Sequence, residues 1–346
     1  MITDSEIESV FKAMLGRSPE TRNVYEHFRH TDNVLSLVEI VSKTPEFLKR
    51  SMKSPFDYYN SRIDALSIVR SHENSERQQR PGYKVNYFGV SIPNAVIPSH
   101  AFDQIPDLEN DPLPANWHAD TAEFAAALRS VDLAKSSFTM IELGCGWGCW
   151  MNITGAAAKR RGKVVKLIGI EGDGKNIGLA RDALAANGFL PEEYSLLHGI
   201  AHASSGFAAF PQQNSDEENW GFEPVFSTNE RAFAAAMKSG RHAKLPMYGF
   251  RELSSDYGRI DLLHVDIQGG EAALVRDSIH VFSEKIAYVL IGTHSRQIEG
   301  EVFNSFLNAG WVLEIERPAI LSLQNAEAGP SVTVDGVQGW RNPRLA

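Results

Sequence analysis

The chain shows two patterns of apolar and polar positions, one with the period of an amphipathic helix and one of short apolar runs. The first pattern occupies the start of the chain, where apolar residues recur at the spacing of one helix face. These residues are Ile7, Val10, Phe11, Met14 and Leu15. Gly16 then ends the period, and further helices are predicted over 21–28 and 33–42. We therefore predict a helical module over residues 1–53.

The second pattern begins near residue 120, where short apolar runs alternate with helix-like segments. Such runs, rich in β-branched and aromatic residues, are typical of buried parallel strands. The predicted strands are 138–143, 164–171, 194–200, 260–266 and 287–292, with 311–316 and 331–337 as an antiparallel edge. The alternation favours an α/β fold with a Rossmann-like, mostly parallel sheet of seven strands. We assign this domain to residues 120–320.

Three other segments lack both patterns. Residues 54–119 are polar over 71–82 and then rich in aromatic residues and proline, which predicts a linker and a cap segment. Residues 204–246 are an insertion rich in serine, asparagine, glutamine and glutamate, which forms either a lid over the substrate or a partly disordered segment. Residues 321–346 are predicted to form a C-terminal edge strand and tail.

Composition and charge narrow the classes of function. The 346 residues are 43% hydrophobic and 22% charged, as in a globular protein with a sizeable core. A net charge of -9 gives no global attraction for phosphate backbones, so we expect no nucleic-acid partner. The chain has no run of about 18 apolar residues. Its first residues are acidic and lack an apolar signal core, so we predict no membrane span and a cytoplasmic location.

The first predicted strand runs directly into three glycines at alternate positions, Gly144, Gly146 and Gly148. Glycines here let the backbone turn sharply and lie against a ligand. Glu142 precedes them, and Cys149 stands where the dinucleotide-binding fingerprint has its last glycine. S-adenosylmethionine lacks a pyrophosphate but has an ammonium group that a carboxylate attracts, directly or through water. The turn therefore resembles motif one of class I methyltransferases. The cofactor-binding residues implied there are Glu142, Gly144, Cys145, Gly146 and Gly148.

Two further strand ends complete the predicted cofactor site. Glu171 ends the second strand about 20 residues after the turn, where this fold places a carboxylate on the ribose hydroxyls. Gly172 and Asp173 follow it directly. Gly199 and Ile200 close the third strand, where backbone and apolar side chains suit an adenine ring. S-adenosylmethionine is therefore the predicted cofactor.

The fourth strand carries a more specific pattern, Ile-Asp-Leu-Leu-His-Val-Asp-Ile-Gln-Gly-Gly-Glu at 260–271. It resembles the Asp-x-Glu-Gly-x-Glu signature of FkbM-type methyltransferases, which methylate hydroxyl oxygens of glycans and secondary metabolites. Asp266 matches the first acid and Glu271 the last, whereas Gln268 replaces the middle glutamate. The resemblance covers roughly 138–317, and it implies the class I methyltransferase fold and a hydroxyl acceptor.

Asp266 and His294 are the predicted catalytic residues, because Asp266 ends the fourth predicted strand and His294 follows the fifth at the same edge of the sheet. Asp266 is also a predicted cofactor-binding residue. An alcohol holds its proton tightly, and a neutral histidine with a pKa of about 6.5 can take that proton during attack. His294 is the predicted base, and Asp266 is its partner or the clamp on the hydroxyl. Two alternatives remain. Either His294 caps a turn and Asp266 contacts the methionine end of the cofactor, or both residues bind Mg²⁺ or a transition-metal ion.

The leading hypothesis is an S-adenosylmethionine-dependent O-methyltransferase acting on a hydroxyl of a sugar, a glycan or a related metabolite. The segments 11–19 and 42–48 resemble a small helical bacterial module often appended to enzymes of surface-carbohydrate assembly. Two other hypotheses remain, an NAD-dependent oxidoreductase and a non-catalytic assembly subunit with a vestigial cofactor pocket. The missing glycine at Cys149 disfavours the oxidoreductase. We predict a small-molecule or glycan acceptor as the partner, and the sequence indicates no oligomeric state.

Overall fold

The structure, a computed structural model, describes residues 2–47, 54–212, 223–323 and 330–346. The chain forms two compact units, Met1–Asp57 and Tyr58–Ala346. Each unit has a buried apolar core of its own. Within the described ranges, no helix combines the length and the apolar composition that crossing a membrane requires.

The first unit contains α1 (Asp4–Leu15), α2 (Arg22–Arg29) and α3 (Val34–Ser42). A capping box starts α1, because the Thr3 hydroxyl accepts the N–H of Glu6 and the Glu6 carboxylate accepts the N–H of Thr3. Gly16 ends this helix with a φ of 65°, a left-handed conformation that glycine adopts without strain. The three helices predicted for this module are confirmed. Its last residues, 48–53, lie outside the described residues.

The second unit alternates strands with helices over most of its length. Its strands are β1 (Asn60–Ser61), β2 (Tyr83–Val85), β3 (Ser91–Pro93), β4 (Ser137–Leu143), β5 (Val164–Glu171), β6 (Tyr194–His198), β7 (Ile200–His202), β8 (Gly206–Pro211), β9 (Val225–Phe226), β10 (His242–Gly249), β11 (Leu262–Val265), β12 (Tyr288–Thr293), β13 (Val312–Arg317), β14 (Ile320–Ser322), β15 (Ser331–Val334) and β16 (Gly336–Arg341). Its helices are α4 (Ala65–Ser71), α5 (Thr121–Leu133), α6 (Cys149–Arg160), α7 (Gly174–Ala186), α8 (Glu230–Lys238), α9 (Phe250–Leu253), α10 (Glu271–Lys285) and α11 (Arg296–Asn308).

A central sheet, eight-stranded in the described part of the chain, has the order β1-β13-β16-β12-β11-β4-β5-β6. Strands β4, β5, β6, β11 and β12 are parallel, and β16 lies antiparallel between β12 and β13. The chain leaves β4 toward β5 and β6, then returns to the other side of β4 as β11. Ligands bind at such a switch in strand order. The predicted class I methyltransferase fold is confirmed, with β1 as an additional edge strand.

Both faces of the central sheet are buried, which explains the continuous apolar runs of its strands. On β4, Met140 packs into one core cluster together with residues of α5 and α6. Its neighbours Ile141 and Leu143 pack into a second cluster with residues of α10 and α11. Alternate side chains of one strand thus hold helices on opposite faces, and the carboxyl edge of the sheet is left for a ligand.

The C-terminal edge differs from the prediction. The predicted strand 331–337 is divided between β15, which pairs with β14 in a separate hairpin, and β16, which runs to Arg341 in the central sheet. Gly336 begins β16. A Cβ at this position would lie 2.3 Å from the Thr293 hydroxyl oxygen, so a glycine is needed for β16 to approach β12 this closely. Trp340 is fully buried in the core. Burial of this indole explains why the edge strand continues past the predicted end.

The insertion at 204–246 is regular where the structure describes it. Strands β7, β10, β8 and β9 form a second sheet in that order, and α8 lies against it. Pro246 breaks the apolar alternation of the sequence, although it pairs with Phe207 in the β10–β8 ladder. The expected irregular segment is therefore a small sheet with one helix in these residues. The remainder, 213–222, lies outside the described residues.

Residues 58–119 pack against the sheet domain. Phe88 is fully buried, and its ring lies 5.1 Å from that of Phe124 on α5. His72, within the polar stretch 71–82, is also buried and contacts Asp132 at 2.9 Å. This part of the chain therefore contributes to the core of the second unit.

Candidate active site

The glycine turn joins β4 to α6 and is fixed by backbone contacts. The N–H groups of Gly144 and Cys145 both donate to the Ile170 carbonyl at 2.9 Å, which ties the turn to β5. Gly144 has a φ of 75°, and a Cβ there would lie 1.9 Å from the carbonyl oxygen of Asp266. Glycine is therefore required where the turn approaches the end of β11. Gly148 has a φ of 77° and is the N-cap of α6.

A cavity of about 340 Å³ lies against the turn, the ends of β5 and β11, and the whole of the short strand β7. The predicted site residues that line it are Gly144, Gly146, Glu171, Gly172, Asp173, Gly199, Ile200 and Asp266. The predicted site residues outside the lining are Glu142, Cys145, Gly148 and His294. The three segments that the sequence assigned to a cofactor thus meet at one cavity. The predicted strand 194–200 is divided, however, because β6 ends at His198 and Ile200 begins β7 in another sheet.

Glu171 ends β5 with its carboxylate on the cavity wall. Its Oε2 accepts the N–H of Gly146 and its Oε1 accepts the N–H of Asp173, both at 2.8 Å. Burial raises the pKa of Glu171, and these N–H donors partly offset the rise by stabilising the charged form. A carboxylate oxygen has two lone pairs, so each oxygen retains acceptor capacity. This geometry suits a ligand with a pair of adjacent hydroxyl groups.

Glu142 lies under the turn and is absent from the cavity wall. Its buried carboxylate accepts the N–H groups of Met151 at 3.0 Å and Trp150 at 3.4 Å, and it lies 3.6 Å from Nδ1 of His264. Unpaired N–H groups and the helix dipole favour a negative charge at the start of a helix. Burial, to which the charge of Asp266 adds, raises the pKa of Glu142 to about 8. This position indicates a role in holding α6. Attraction of the cofactor ammonium by Glu142, directly or through water, stays a prediction.

The substitution Glu142→Gln is expected to make stability less dependent on pH. The pKa of Glu142 is about 8 in the folded protein against a usual 4.5. The stability that this carboxyl group contributes is therefore complete below pH 4.5 and is lost as pH rises through 8. As the pH rises from about 5 to 8, the free energy of unfolding should fall in both proteins. The fall should be roughly 1 to 3 kcal/mol smaller in the variant than in the parent. Urea unfolding across this range measures the slope, with the exposed Glu192→Gln as the control. Equal slopes for all three proteins would contradict the assignment.

His294 and Asp266 meet at the ends of β12 and β11, as their strand positions predict. Nε2 of His294 lies 3.2 Å from Oδ1 of Asp266, and Nδ1 lies 2.9 Å from Oε1 of Glu271. Asp335, between β15 and β16, lies 3.7 Å from Nε2. One ligand atom each from Asp266, Glu271 and His294 lies within 4.8 Å of the other two, a donor set that could hold a metal ion. Three carboxylates thus surround one imidazole.

Glu271 is the fully buried first residue of α10. Its Oε1 accepts the N–H groups of Ile267 and Gly269 at 3.1 Å, and its Oε2 lies 3.0 Å from the N–H of Gly269. Gln268 and Gly269 have φ values of 54° and 101°, so the loop before α10 curls around this carboxylate. These contacts fix Glu271 and place it to orient the ring of His294.

The charges of this cluster change the expected behaviour of His294. Burial acts to lower its pKa, but Asp266 and Glu271 outweigh burial and raise the pKa to about 10. Burial also acts to raise the pKa of Asp266, but the contacts with His294 outweigh it and the net pKa is lowered. The cluster therefore holds an ion pair at neutral pH. The neutral imidazole with a pKa near 6.5 that the sequence predicted is not what this environment favours.

No protein-family profile matches the chain. A curated protein of Jannaschia sp. (strain CCS1), named "Putative methyltransferase", is 43% identical over 278 residues, which cover 80% of this chain and 98% of that protein. Identity at this level over nearly the whole relative shows membership of one family. This chain belongs to that methyltransferase family.

Two solved structures align loosely with this methyltransferase. The methyltransferase FkbM from Methylobacillus flagellatus KT is 12% identical, with a TM-score of 0.39 over 64% of this chain and 55% of that one. The N-terminal domain of human METTL16 in complex with SAH is 12% identical, with a TM-score of 0.34 over 67% of this chain and 75% of that one. The strand order of the central sheet is the feature that defines the fold.

Sequence reasoning missed the aromatic wall of the methyltransferase cavity. The cavity is lined by Phe210 on β8 and Phe226 on β9 of the insertion. A Cβ at Gly172 would lie 2.8 Å from the Phe210 ring. Phe210 therefore packs directly on the backbone of Gly172. The available signal was the short apolar run at 207–210 within a polar segment. Asp335 was also missed, because its Asp-Gly pair predicts a turn but not its neighbour in the fold.

The two cysteines of the methyltransferase, Cys145 and Cys149, are free thiols. Burial raises the pKa of both thiols well above the usual value, which keeps them in the neutral form. A neutral, buried thiol is a weak nucleophile and a weak metal ligand. Both residues are therefore interpreted as packing residues of the turn.

Proposed function

We propose that this methyltransferase uses S-adenosylmethionine and methylates a hydroxyl group of a sugar, a glycan or a related metabolite. The observation that carries the cofactor assignment is the Glu171 carboxylate, which lines the cavity at the end of the strand after the glycine turn. A ribose has two adjacent hydroxyls, which match the two oriented oxygens of this carboxylate. Phe210 and Phe226 add an aromatic surface suited to adenine.

Asp266 links the cavity to the proposed acceptor side. Its carbonyl oxygen lies against Gly144, and its carboxylate contacts His294. Methyl transfer is an in-line displacement at a sulfonium, so the enzyme mainly has to place the acceptor oxygen opposite the sulfur. The lowered pKa of Asp266 keeps this carboxylate charged, and it can accept a hydrogen bond from an acceptor hydroxyl. Support for a glycan comes from the resemblance of 260–271 to the FkbM signature.

The substitution Glu171→Ala is expected to weaken the affinity for S-adenosylmethionine by roughly 1.5 to 3 kcal/mol, the range for hydrogen bonds to a charged group. Two hydroxyl contacts would be lost, while the backbone of the turn keeps its bonds to Ile170. Calorimetry with the full chain measures the affinity, and a melting curve checks the fold. Glu192→Ala, an exposed glutamate before β6 at the opposite edge of the sheet, is the control. Unchanged affinity in Glu171→Ala would contradict the ribose assignment.

The acceptor class is tested with S-adenosylmethionine that carries a labelled methyl group. We expect label to enter nucleotide sugars or oligosaccharides as an ether, which survives base hydrolysis, and not small amines or carboxylic acids. Label in amines alone, from a chain that binds the cofactor, would overturn the hydroxyl assignment. A folded chain that binds neither S-adenosylmethionine nor S-adenosylhomocysteine would overturn the function as a whole.

A further inference from the structure

The cluster around His294 has the donor set of a divalent-cation site. Its carboxylates come from three places in the chain, with Asp266 after β11, Glu271 at the start of α10 and Asp335 before β16. Imidazole nitrogen combined with carboxylate oxygen suits divalent transition ions such as Mn²⁺, Fe²⁺, Co²⁺ and Zn²⁺. Asp266 also lines the cofactor cavity, so an ion held here would lie beside the bound cofactor.

The imidazole of His294 provides a second, independent observation. Both ring nitrogens are fully buried, and neither makes a hydrogen bond with favourable geometry. The carboxylate oxygens at 2.9 and 3.2 Å are near these nitrogens but poorly aligned with their N–H directions. Buried polar atoms without an aligned partner are rare in folded proteins and costly. An ion that displaces the proton from one nitrogen and binds its lone pair would remove this cost.

The two sides of the ring have different surroundings. On the Nδ1 side, Glu271 is already held by the N–H groups of Ile267 and Gly269, so it is suited to orient the ring. Metal-ligating histidines commonly contact a carboxylate through the nitrogen that does not bind the ion. On the Nε2 side, oxygens of Asp266 and Asp335 lie 3.2 and 3.7 Å away. Two ligand atoms that each lie about 2.1 Å from one ion, at right angles to each other, are about 3 Å apart. Small side-chain shifts would therefore bring these nitrogen and oxygen atoms to the distances of a metal site.

We propose that Nε2 of His294 and the carboxylates of Asp266 and Asp335 bind one divalent transition-metal ion, and that this ion binds the acceptor hydroxyl. Glu271 is the positioning residue that sets the ring orientation. This inference rests on the proposed methyl transfer to a hydroxyl. The bound alcohol is acidified and gives its proton to a solvent base. Its oxygen then forms the O–C bond while the C–S bond breaks, and the electron pair of that bond stays on sulfur.

The test uses Mn²⁺ as the probe and the full chain, treated with a chelator, dialysed and saturated with S-adenosylhomocysteine. Electron paramagnetic resonance of free Mn²⁺ gives stoichiometry and affinity. We expect one ion per chain. His294→Ala and Asp266→Asn should weaken its binding at least about tenfold, and Glu271→Gln by about 10- to 100-fold. His242→Ala on β10, outside the cluster, should bind Mn²⁺ as the parent does.

The outcomes separate this inference from the proposed function. Absence of Mn²⁺ binding in a chain that still binds S-adenosylhomocysteine would overturn the metal site and leave the methyltransferase assignment in place. Mn²⁺ binding unchanged in folded His294→Ala would also overturn it, because the ion would then lie elsewhere. Methyl transfer that stops with chelator and returns with Mn²⁺ in the parent would support the acceptor role. Full activity of the metal-depleted enzyme would refute that role.

Discussion

Replacing Gly144 with alanine is expected to lower the free energy of unfolding by about 3 to 5 kcal/mol and to abolish cofactor binding. The new methyl group would lie 1.9 Å from the carbonyl oxygen of Asp266, a backbone atom that cannot rotate away. The φ of 75° adds strain for a residue with a Cβ. Relief of the clash requires β4 and β11 to separate at the switch in strand order, where both strands supply the cavity wall.

Gly162→Ala is the matched control for this prediction. Gly162 has a φ of 73°, nearly that of Gly144, but a Cβ there would meet nothing within 4 Å. The control therefore carries the backbone strain without the clash and should cost about 1 to 2 kcal/mol. Urea unfolding of both variants and calorimetry with S-adenosylhomocysteine measure the difference. Similar small losses in both, with tight binding in Gly144→Ala, would show that the turn does not approach β11 as described.

The turn and the strand ends could be predicted because their constraints are local. Glycines at alternate positions after an apolar run require a sharp turn, and parallel strands end at one edge of the sheet. These two rules were enough to place Gly144, Glu171, Asp266 and His294 at the same edge. The structure agrees for all four, and it adds that His294 lies behind Asp266 and does not line the cavity.

Contacts between distant parts of the chain explain what the sequence did not show. Glu142 is near the turn in sequence, but the fold directs its carboxylate to the N–H groups of α6. The pKa of His294 depends on Glu271, which enters the cluster only because α10 begins beside β12. Phe210 reaches the cavity because the insertion folds into a second sheet, and the Phe-Ala-Ala-Phe run at 207–210 on β8 does not alternate apolar with polar residues.

Replacing His294 with alanine is expected to lower turnover by about 10²- to 10⁴-fold while cofactor affinity stays nearly unchanged. His294 is outside the cavity lining, so its loss removes no part of the cofactor wall. It does remove the group that contacts Asp266 at 3.2 Å, on the proposed acceptor side. Acceptor activation is then lost, because the variant lacks both the charged ring that orients Asp266 and the nitrogen that would hold an ion. Single-turnover assays at saturating S-adenosylmethionine measure this step.

Two further variants separate a lost chemical step from a disturbed fold. Glu271→Gln retains the side-chain shape and one oxygen acceptor but removes the charge that faces Nδ1, so a smaller loss of about 10- to 100-fold is expected. His242→Ala removes a histidine outside the cluster and should turn over as the parent does. If His294→Ala is fully active with a normal melting temperature, acceptor activation does not depend on this ring. Asp266, which reaches both the cavity and the cluster, would then be the group that orients the hydroxyl, because a carboxyl oxygen can accept a hydrogen bond without the imidazole.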